Sequence, residues 1–393
     1  MAELTILAPA HSSLSNCVNA PLRQPFASQI LAFIQVLSKL LLSDSRAKAL
    51  PELVALGFWL RHSHIQQLKE TQQSQSSGIT KALGLVLHFT PANVDTMFVY
   101  SWICSLLMGN NNIVRVASAD SAAKNTLLQL LNQVLNQAEF ADIAESNLFV
   151  TYPKEATFSA ELSLLADARV IWGGDDSVNA IRSLPIKPRC RDISFADRYS
   201  AALVNGNALV DKAQVSELAA LLWRDTQPHA QQACSSPRVI FWLGNTSQQQ
   251  ALFSQINLLA SGQAIEINGL NNHLVVSQLI QSSGLADKPL VNRTICALPV
   301  ECIKPEFLGW HLGSGLFLIK HLQCMLELPE HIDNKLQTLS YWQVEQKDLL
   351  KLVEQPSITG LDRIVPVGRA LDFSPIWDGV ELLSHLSRKI EFL

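Results

Sequence analysis

Short apolar runs alternate with helix-like segments from residue 84 onward, and this alternation limits the possible folds more than any other feature. The helix-like segments include 94–108 and AAKNTLLQLLNQVLNQ, whose first turn Asp120 or Ser121 can cap. Strands that alternate with helices predict βαβ units and a parallel, doubly wound sheet of the α/β class. The predicted strands are GLVLHF (84–89), IVRVAS (113–118), NLFVTY (147–152), ARVIWG (168–173) and SAALVN (200–205).

A second α/β segment begins at about residue 206. Apolar residues at helical spacing predict helices at 210–224 and 247–260, and the run 238–243 predicts a strand between them. Weaker strand signals follow at 273–277 and 315–319. We therefore expect two α/β units in succession.

The composition is that of a globular chain with a large core, because 48% of the residues are hydrophobic and 16% are charged. Thirty basic against 34 acidic residues give a formal net charge of −4, so nucleic acid is not expected as a main partner. The apolar stretch 82–109 is interrupted by Pro91, Asn93 and Asp95. A strand, a turn and a buried helix fit this stretch better than a membrane span.

The seven cysteines form no CxxC pair and no zinc-ligand spacing. Their odd number argues against a disulfide framework, and no metal site is expected. The N-terminus shows no secretory signal pattern. These observations place the chain in a reducing cytoplasm.

Doubly wound sheets bind ligands at the carboxyl ends of their strands, and several polar features fall there. No GxGxxG fingerprint is present, but Gly173 and Gly174 follow a predicted strand and precede a helix. They could contact a phosphate, or they could serve a turn that needs a positive φ. Arg115 within a strand needs a partner, either a cofactor phosphate or ribose or a carboxylate from a neighbouring loop.

Two further residues allow both a structural and a catalytic interpretation. Asn93 is a turn former or a donor to a developing oxyanion. Cys234 is an inert small residue or a nucleophile at the entrance of a strand. His229, five residues before the cysteine, is a solvated loop residue or a base.

Five segments, taken together, resemble the LuxC-type fatty acyl-CoA reductases, a branch of the aldehyde dehydrogenase superfamily. The resemblance runs in order from about residue 80 to the C-terminus. The cysteine segment and the tail are its most specific parts. The segments are GLVLHFTPANV, NNIVRVASADS, ARVIWGGDDSVNAIR, QQACSSPRVIF and LDRIVPVGRALDF…WDG…LSR.

The resemblance implies an aldehyde dehydrogenase-like fold and assigns roles by position. Cys234 would be the nucleophile and Asn93 the oxyanion-hole asparagine. The cofactor would lie against Arg115, Ser118, Gly173 and Gly174. Arg115 stands where the superfamily usually has a lysine on the adenosine ribose, and it suits a 2′-phosphate. The departure from lysine leaves the choice between NAD and NADP open, and the expected cofactor is NADPH, with NADH as the alternative.

The superfamily's hydrolytic members carry a general-base glutamate about 35 residues before the cysteine, whereas residues 192–203 contain none. This gap favours acyl-CoA reduction over aldehyde oxidation. The resemblance implies reduction of a long-chain fatty acyl-CoA, or another acyl thioester, to the aldehyde through an acyl-cysteine. The alternatives are a CoA-independent aldehyde dehydrogenase, an acyl-phosphate reductase, and a non-catalytic subunit of a multi-enzyme complex. A homo-oligomer is expected, with an acyl-activating partner as a further possibility.

The resemblance also implies a division of the chain. We expect a helical lead-in at 1–80, a nicotinamide cofactor-binding domain at 81–205 and a catalytic domain at 206–360. Residues 361–393 would form a loop and tail that return to the active-site mouth or to an oligomer interface. Trp377 and Asp378 lie in that segment, with either a catalytic or a packing role.

Overall fold

The computed structural model describes residues 3–74, 78–154, 156–262 and 267–391. The chain divides into two compact units. The first contains residues 1–197 and 373–393, and the second contains residues 198–372. The domain boundaries inferred from the sequence remain predictions.

The first unit begins with strands and helices up to residue 197 and is completed by a returning C-terminal segment. Its strands are β1 Thr5–Ala8, β2 Ile79–Ala82, β3 Leu85–Phe89, β4 Asn111–Arg115, β5 Asn147–Thr151, β6 Ala168–Trp172 and β7 Arg191–Phe195. Its helices are α1 Leu14–Asn19, α2 Ser28–Ser43, α3 Ser45–Lys48, α4 Pro51–Trp59, α5 His62–Ser74, α6 Met97–Leu107, α7 Ala122–Leu135, α8 Ala141–Glu145, α9 Phe158–Leu165 and α10 Asp175–Arg182.

Six of these strands form one sheet in the order β1-β5-β4-β3-β6-β7. All neighbours are parallel except β1, which pairs antiparallel with β5. From β3 the chain moves outward to β4 and β5, and then returns to place β6 on the other side of β3. The order of the strands therefore reverses at β3, and the carboxyl ends of β3, β4 and β6 form a switch point.

The predicted doubly wound α/β sheet is confirmed. Strand β3 and helix α6 are buried along their whole length, as expected for elements covered on both faces. Ser121 caps helix α7, since its hydroxyl accepts from the Lys124 N–H at 3.0 Å. Strand β4 begins two residues before the predicted 113–118 run, which places Arg115 at its last position.

A buried ion pair fixes helix α10 on the sheet. The Arg169 guanidinium in β6 is fully buried and donates twice to Asp192 in β7, at 2.7 and 2.6 Å. It also donates to the Ile181 carbonyl near the end of α10 at 2.9 Å. One side chain thus holds two strands and the helix that follows β6.

The second unit consists of elements between residues 199 and 366. Its strands are β8 Tyr199–Asn205, β9 Pro237–Leu243, β10 Val291–Asn292, β11 Cys296–Pro299, β12 Leu316–Leu322, β13 Leu336–Trp342 and β14 Arg363–Pro366. Its helices are α11 Lys212–Thr226, α12 Gln249–Ser261, α13 Ile267–Ser282, α14 Pro305–Trp310 and α15 Gln346–Val353.

These seven strands form a second sheet in the order β10-β11-β12-β9-β8-β13-β14. Among the described strands of this second sheet, only β10 pairs antiparallel with its neighbour. Two predictions were wrong here. SAALVN (200–205) is a strand, but it lies in this second sheet and not in the first. Residues 273–277 belong to helix α13, whose buried side chains recur at helical spacing.

The C-terminal segment returns to the first unit. It contains β15 Ile376–Trp377, β16 Val380–Glu381, α16 Leu382–His385 and β17 Ser387–Ile390. Strands β15 and β16 form a hairpin, and β17 pairs antiparallel with β2. Strand β17 belongs to the same unit as the first strand of the chain.

The ion pair predicts an asymmetric response to mutation. Asp192→Ala leaves a buried guanidinium without its carboxylate, so we expect the free energy of unfolding to fall by about 3–5 kcal/mol. Arg169→Met removes the buried charge and keeps an unbranched apolar chain, so the loss should be smaller. Urea unfolding followed by tryptophan fluorescence compares the two. Equal losses, or a larger loss for Arg169→Met, would contradict this account.

Candidate cofactor cleft and candidate nucleophile

A cleft of about 650 Å³ opens at the switch point of the first sheet. This volume lies within the range of small-molecule and cofactor sites. The cleft brings together five of the six predicted site residues. They are Asn93, Arg115, Ser118, Gly173 and Gly174.

The backbone conformation at Gly173 and Gly174 does not require glycine. Neither has a positive φ, so the interpretation as a turn that needs one was wrong. A Cβ on Gly173 would approach the Ser177 Cβ at 3.2 Å, whereas a Cβ on Gly174 would meet nothing within 4 Å. Gly174 is the N-cap of helix α10 and supplies no side-chain cap. The first backbone N–H groups of this helix therefore lie at the side of the cleft, and the N-cap residue has no side chain to accept from them.

Arg115 ends strand β4 beside the cleft. Its guanidinium lies over the Tyr152 ring, with 5.0 Å from Cζ to the ring centroid. Its Nε is buried and has no hydrogen-bond partner among the described residues. Of the two partners considered for Arg115, a carboxylate is not found in the described part of the chain.

The charge of the cleft is one-sided. Arg115 and the exposed Lys154 are its charged lining residues, and no carboxylate lines it in the described part of the chain. These two cations favour a ligand that carries phosphate, whereas Asp175 and Asp176 in the first turn of α10 oppose the attraction of its amides for an anion.

A buried lysine supports the loop that carries Ser118. The Lys124 ammonium donates to the Ala117 carbonyl at 3.4 Å and to the Ala119 carbonyl. Both alanines line the cleft, and Ser118 lies exposed between them. The sequence analysis missed Lys124, because a lysine three residues into a helix reads as a solvated residue.

A chain of buried hydrogen bonds lies behind the cleft wall. Trp172 lines the cleft, and its Nε1 donates to Ser101 Oγ at 3.1 Å. The same Oγ bonds His88 Nδ1 at 2.8 Å, and His88 Nε2 bonds the Asn112 Oδ1 at 3.0 Å. The Asn112 amide donates to Asn147 Oδ1 at 2.8 Å. Because Asn112 Oδ1 can only accept, His88 Nε2 must carry a hydrogen.

Burial determines the charge of this imidazole. Desolvation lowers the pKa of His88 to about 4, and the Asn112 hydrogen bond opposes that shift. The ring is therefore neutral at physiological pH, and its Nδ1 accepts from the Ser101 hydroxyl. A histidine inside the GLVLHF run was the sequence signal for this network.

Trp172 also belongs to an aromatic cluster. It stacks on Phe195 with 3.9 Å between centroids, and it meets Trp377 edge to face at 5.9 Å. The structure thus places Trp377 beside a residue of the cleft wall. Asp378, the next residue, has a φ of 48° and forms the turn between β15 and β16.

Cys234 belongs to the second unit, whereas the other five predicted site residues belong to the first. It is half-buried in the turn that leads into β9. Ser200 Oγ donates to the Cys234 carbonyl at 2.6 Å and accepts from the Thr338 N–H at 3.2 Å. The turn is thereby attached to β8 and β13. His229 stands in a left-handed backbone conformation just before it, with a φ of 55°.

The described residues contain no group of three or more His, Cys, Asp or Glu side chains that could hold a metal ion. No helix among them is long and apolar enough to cross a lipid bilayer.

Comparison with known proteins identifies related sequences. The family model described as "Acyl-CoA reductase (LuxC)" matches residues 52–260. A long-chain acyl-protein thioester reductase from Photorhabdus luminescens is 24% identical over 316 residues, which are 77% of this chain and 64% of that protein. One of the same name from Aliivibrio fischeri is 23% identical over 41% of this chain and 32% of its own length. The chain thus spans less than two thirds of these relatives.

Solved structures show the same fold. A lactaldehyde dehydrogenase superposes with a TM-score of 0.64 at 11% identity, covering 92% of this chain and 84% of that one. An NAD-dependent benzaldehyde dehydrogenase from Corynebacterium glutamicum gives 0.65 at 11% identity, covering 93% and 85%. At these identities the likeness concerns the fold alone, and it confirms the aldehyde dehydrogenase-like prediction.

The buried imidazole predicts a pH dependence of stability. The unfolded chain binds a proton on His88 with a pKa near 6.5, and the folded chain binds it only near pH 4. Protonation therefore favours unfolding, and the folded state should lose up to about 3 kcal/mol as the pH falls from 7 to 4. His88→Gln keeps polar groups and does not titrate. Urea unfolding of both proteins at several pH values should show this extra loss in the wild type only.

Proposed function

This chain belongs to the acyl-CoA reductase (LuxC) family, and from that premise we propose that it reduces a long-chain fatty acyl-CoA to the aldehyde with NADPH. The observation that carries the proposal is the phosphate-compatible cleft at the switch point of the first sheet. The chain spans only part of its curated relatives, so the activity, substrate and cofactor are all proposals.

The residues of the cleft fit a nicotinamide dinucleotide. The open space at Gly174 admits a diphosphate close to the α10 amides. Arg115 offers a buried guanidinium nitrogen without a partner among the described residues, and its stacking on Tyr152 fixes its direction. When bound, the cofactor would supply hydride. We assign Arg115 to a 2′-phosphate, which a planar guanidinium binds better than a ribose hydroxyl.

Cys234 is assigned the nucleophilic role. Its thiolate would attack the thioester carbonyl, and the C–S bond to coenzyme A would break, leaving the acyl group on the Cys234 sulfur. Hydride supplied to that carbonyl carbon would give a thiohemiacetal oxyanion, and cleavage of its C–S bond would release the aldehyde and restore the Cys234 thiolate. We assign the Asn93 side-chain amide as a donor to the oxyanion.

The lack of a glutamate in the 192–203 window supports reduction over hydrolysis. The carboxylates there belong to Asp192 and Asp197. The Asp192 carboxylate accepts two hydrogen bonds from the buried Arg169 guanidinium. An acyl-cysteine that must wait for hydride is protected when no carboxylate beside it activates water.

The acyl carrier is the main alternative within the proposal. The relatives are named for acyl-protein thioesters, which favours an acyl group carried on a protein as a second candidate substrate. An acyl phosphate, or an aldehyde oxidised without coenzyme A, are alternatives in the same superfamily, and a non-catalytic subunit is a further one. We further propose a cytoplasmic location, because none of the seven cysteines forms a disulfide. A homo-oligomer is proposed on the family resemblance alone.

The nucleophile assignment predicts that Cys234→Ala abolishes reduction. Purified wild type is mixed with NADPH and acyl-CoA substrates of increasing chain length, and the absorbance at 340 nm is followed. We expect consumption of NADPH by the wild type and a loss of at least about 1000-fold in Cys234→Ala, the scale of removing a covalent nucleophile. Cys302→Ala, a half-buried cysteine of the same unit, is the matched control. Parallel assays with an acylated carrier protein and an acyl phosphate distinguish the carriers.

The Arg115 assignment predicts a change in cofactor preference. Arg115→Met should raise the KM for NADPH by about tenfold, the effect of losing roughly 1.4 kcal/mol, while the KM for NADH changes less. Lys154→Met removes the other cation of the cleft and is the comparison. Equal effects of both substitutions, or equal effects on both cofactors, would contradict a specific 2′-phosphate contact.

A further inference from the structure

The Gln231 side chain is fully buried three residues before Cys234, and all of its polar atoms are bonded. Its Nε2 donates to the Pro237 carbonyl at 2.9 Å and to the Leu316 carbonyl at 2.8 Å. Its Oε1 accepts from the Gly315 N–H at 2.9 Å. One amide therefore joins the first residues of β9 and β12 to the segment that precedes the cysteine.

That segment has an unusual backbone. Three successive residues have positive φ values, His229 at 55°, Ala230 at 49° and Gln231 at 63°. The left-handed region disfavours residues with a Cβ, so a run of three persists only where surrounding bonds enforce it. Strained backbone of this kind is concentrated at functional sites.

A second left-handed segment faces the first one. Gly313, Ser314 and Gly315 all have positive φ, and the Ser314 N–H donates to the Ala230 carbonyl at 2.8 Å. A Cβ on Gly313 would collide with that same carbonyl oxygen. The two segments are fitted together, and the Gln231 amide is the side-chain connection between them.

The cysteine is thus held from both sides. Before it, the Gln231 side chain fixes the left-handed run, and the Gln232 N–H closes a turn on the His229 carbonyl at 2.9 Å. At the cysteine itself, Ser200 Oγ holds the backbone carbonyl at 2.6 Å. The Ser236 N–H then closes the next turn on the Ala233 carbonyl at 2.9 Å.

We propose that Gln231 is a positioning residue for the thioester chemistry: its amide enforces the left-handed run that presents Cys234. The inference rests on the proposed role of Cys234 as nucleophile. Gln231 itself does not contact the substrate. It fixes the direction in which the backbone enters the Cys234 turn. The approach of the Cys234 sulfur to a carbonyl depends on that direction.

Two substitutions separate positioning from stability. Gln231→Met keeps the volume and the Cβ but loses all three hydrogen bonds, so the run can relax away from positive φ. Gln231→Gly also loses the bonds and leaves a cavity, but glycine adopts positive φ without penalty. We expect the glycine variant to be the less stable of the two and yet the more active.

The measurements are thermal unfolding and NADPH oxidation with acyl-CoA. We expect kcat to fall at least tenfold in Gln231→Met and about threefold in Gln231→Gly, with the KM for NADPH unchanged in both. Gln249→Met removes another buried glutamine of the same unit, whose Nε2 bonds His321 Nε2 at 3.3 Å. It controls for the general effect of losing a buried amide, and its kcat should stay within twofold of wild type. Values of kcat that follow stability through all three variants would overturn the positioning role.

A readout without substrate keeps this inference distinct from the proposed function. Alkylation of Cys234 by iodoacetamide is followed by mass spectrometry of its peptide, with the exposed Cys324 as internal reference. We expect Gln231→Met to slow alkylation of Cys234 about fivefold and to leave Cys324 unchanged. A Cys234 rate within twofold of wild type overturns the positioning role, whether or not the wild type reduces a thioester. Failure of the wild type to reduce any thioester, with the alkylation effect present, overturns only the proposed function.

Discussion

The hydrogen bond between His88 and Asn112 is the interaction on which the first unit depends. Both residues lie in the middle of a parallel sheet that is buried on both faces, where an unpaired polar group is costly. Their bond ties β3 to β4, and its continuation through Ser101 sets the orientation of Trp172 at the end of β6. The three strands of the switch point therefore share one polar connection, and the cleft wall inherits its geometry from the sheet interior.

The elements themselves could be predicted because each is encoded locally. The β3 and β6 runs are short and apolar, and Ser121 stands where a helix cap is needed. Partners could not be predicted in the same way. Residues 200–205 follow the first sheet in sequence yet pair with β9 and β13, which local patterns do not reveal. Residues 273–277 are rich in apolar and β-branched side chains, but they lie within a helix of sixteen residues.

The residues of the candidate site likewise divide into those that the sequence indicated and those that it did not. Strand ends indicated Asn93, Arg115, Gly173 and Gly174, because the carboxyl edge of a parallel sheet is defined by topology alone. Lys124 and Ser101 escaped notice, since their roles come from bonds to residues that the fold brings near. The residues around Cys234 are mostly polar, yet Gln231 is fully buried. A buried glutamine and an exposed one have the same local sequence pattern, and only the pairing of β9 with β12 distinguishes them.

The pairing of β17 with β2 has a consequence for how the protein is made. The first unit contains residues from both sides of residues 198–372, so its last strand leaves the ribosome after the whole second unit. The second unit is one continuous segment and can complete its own core during synthesis. Strand β2 must wait, with its edge unpaired, for about three hundred residues of further translation. The half-buried Lys81 on that strand and the short length of the edge are features that limit wrong pairing in the interval.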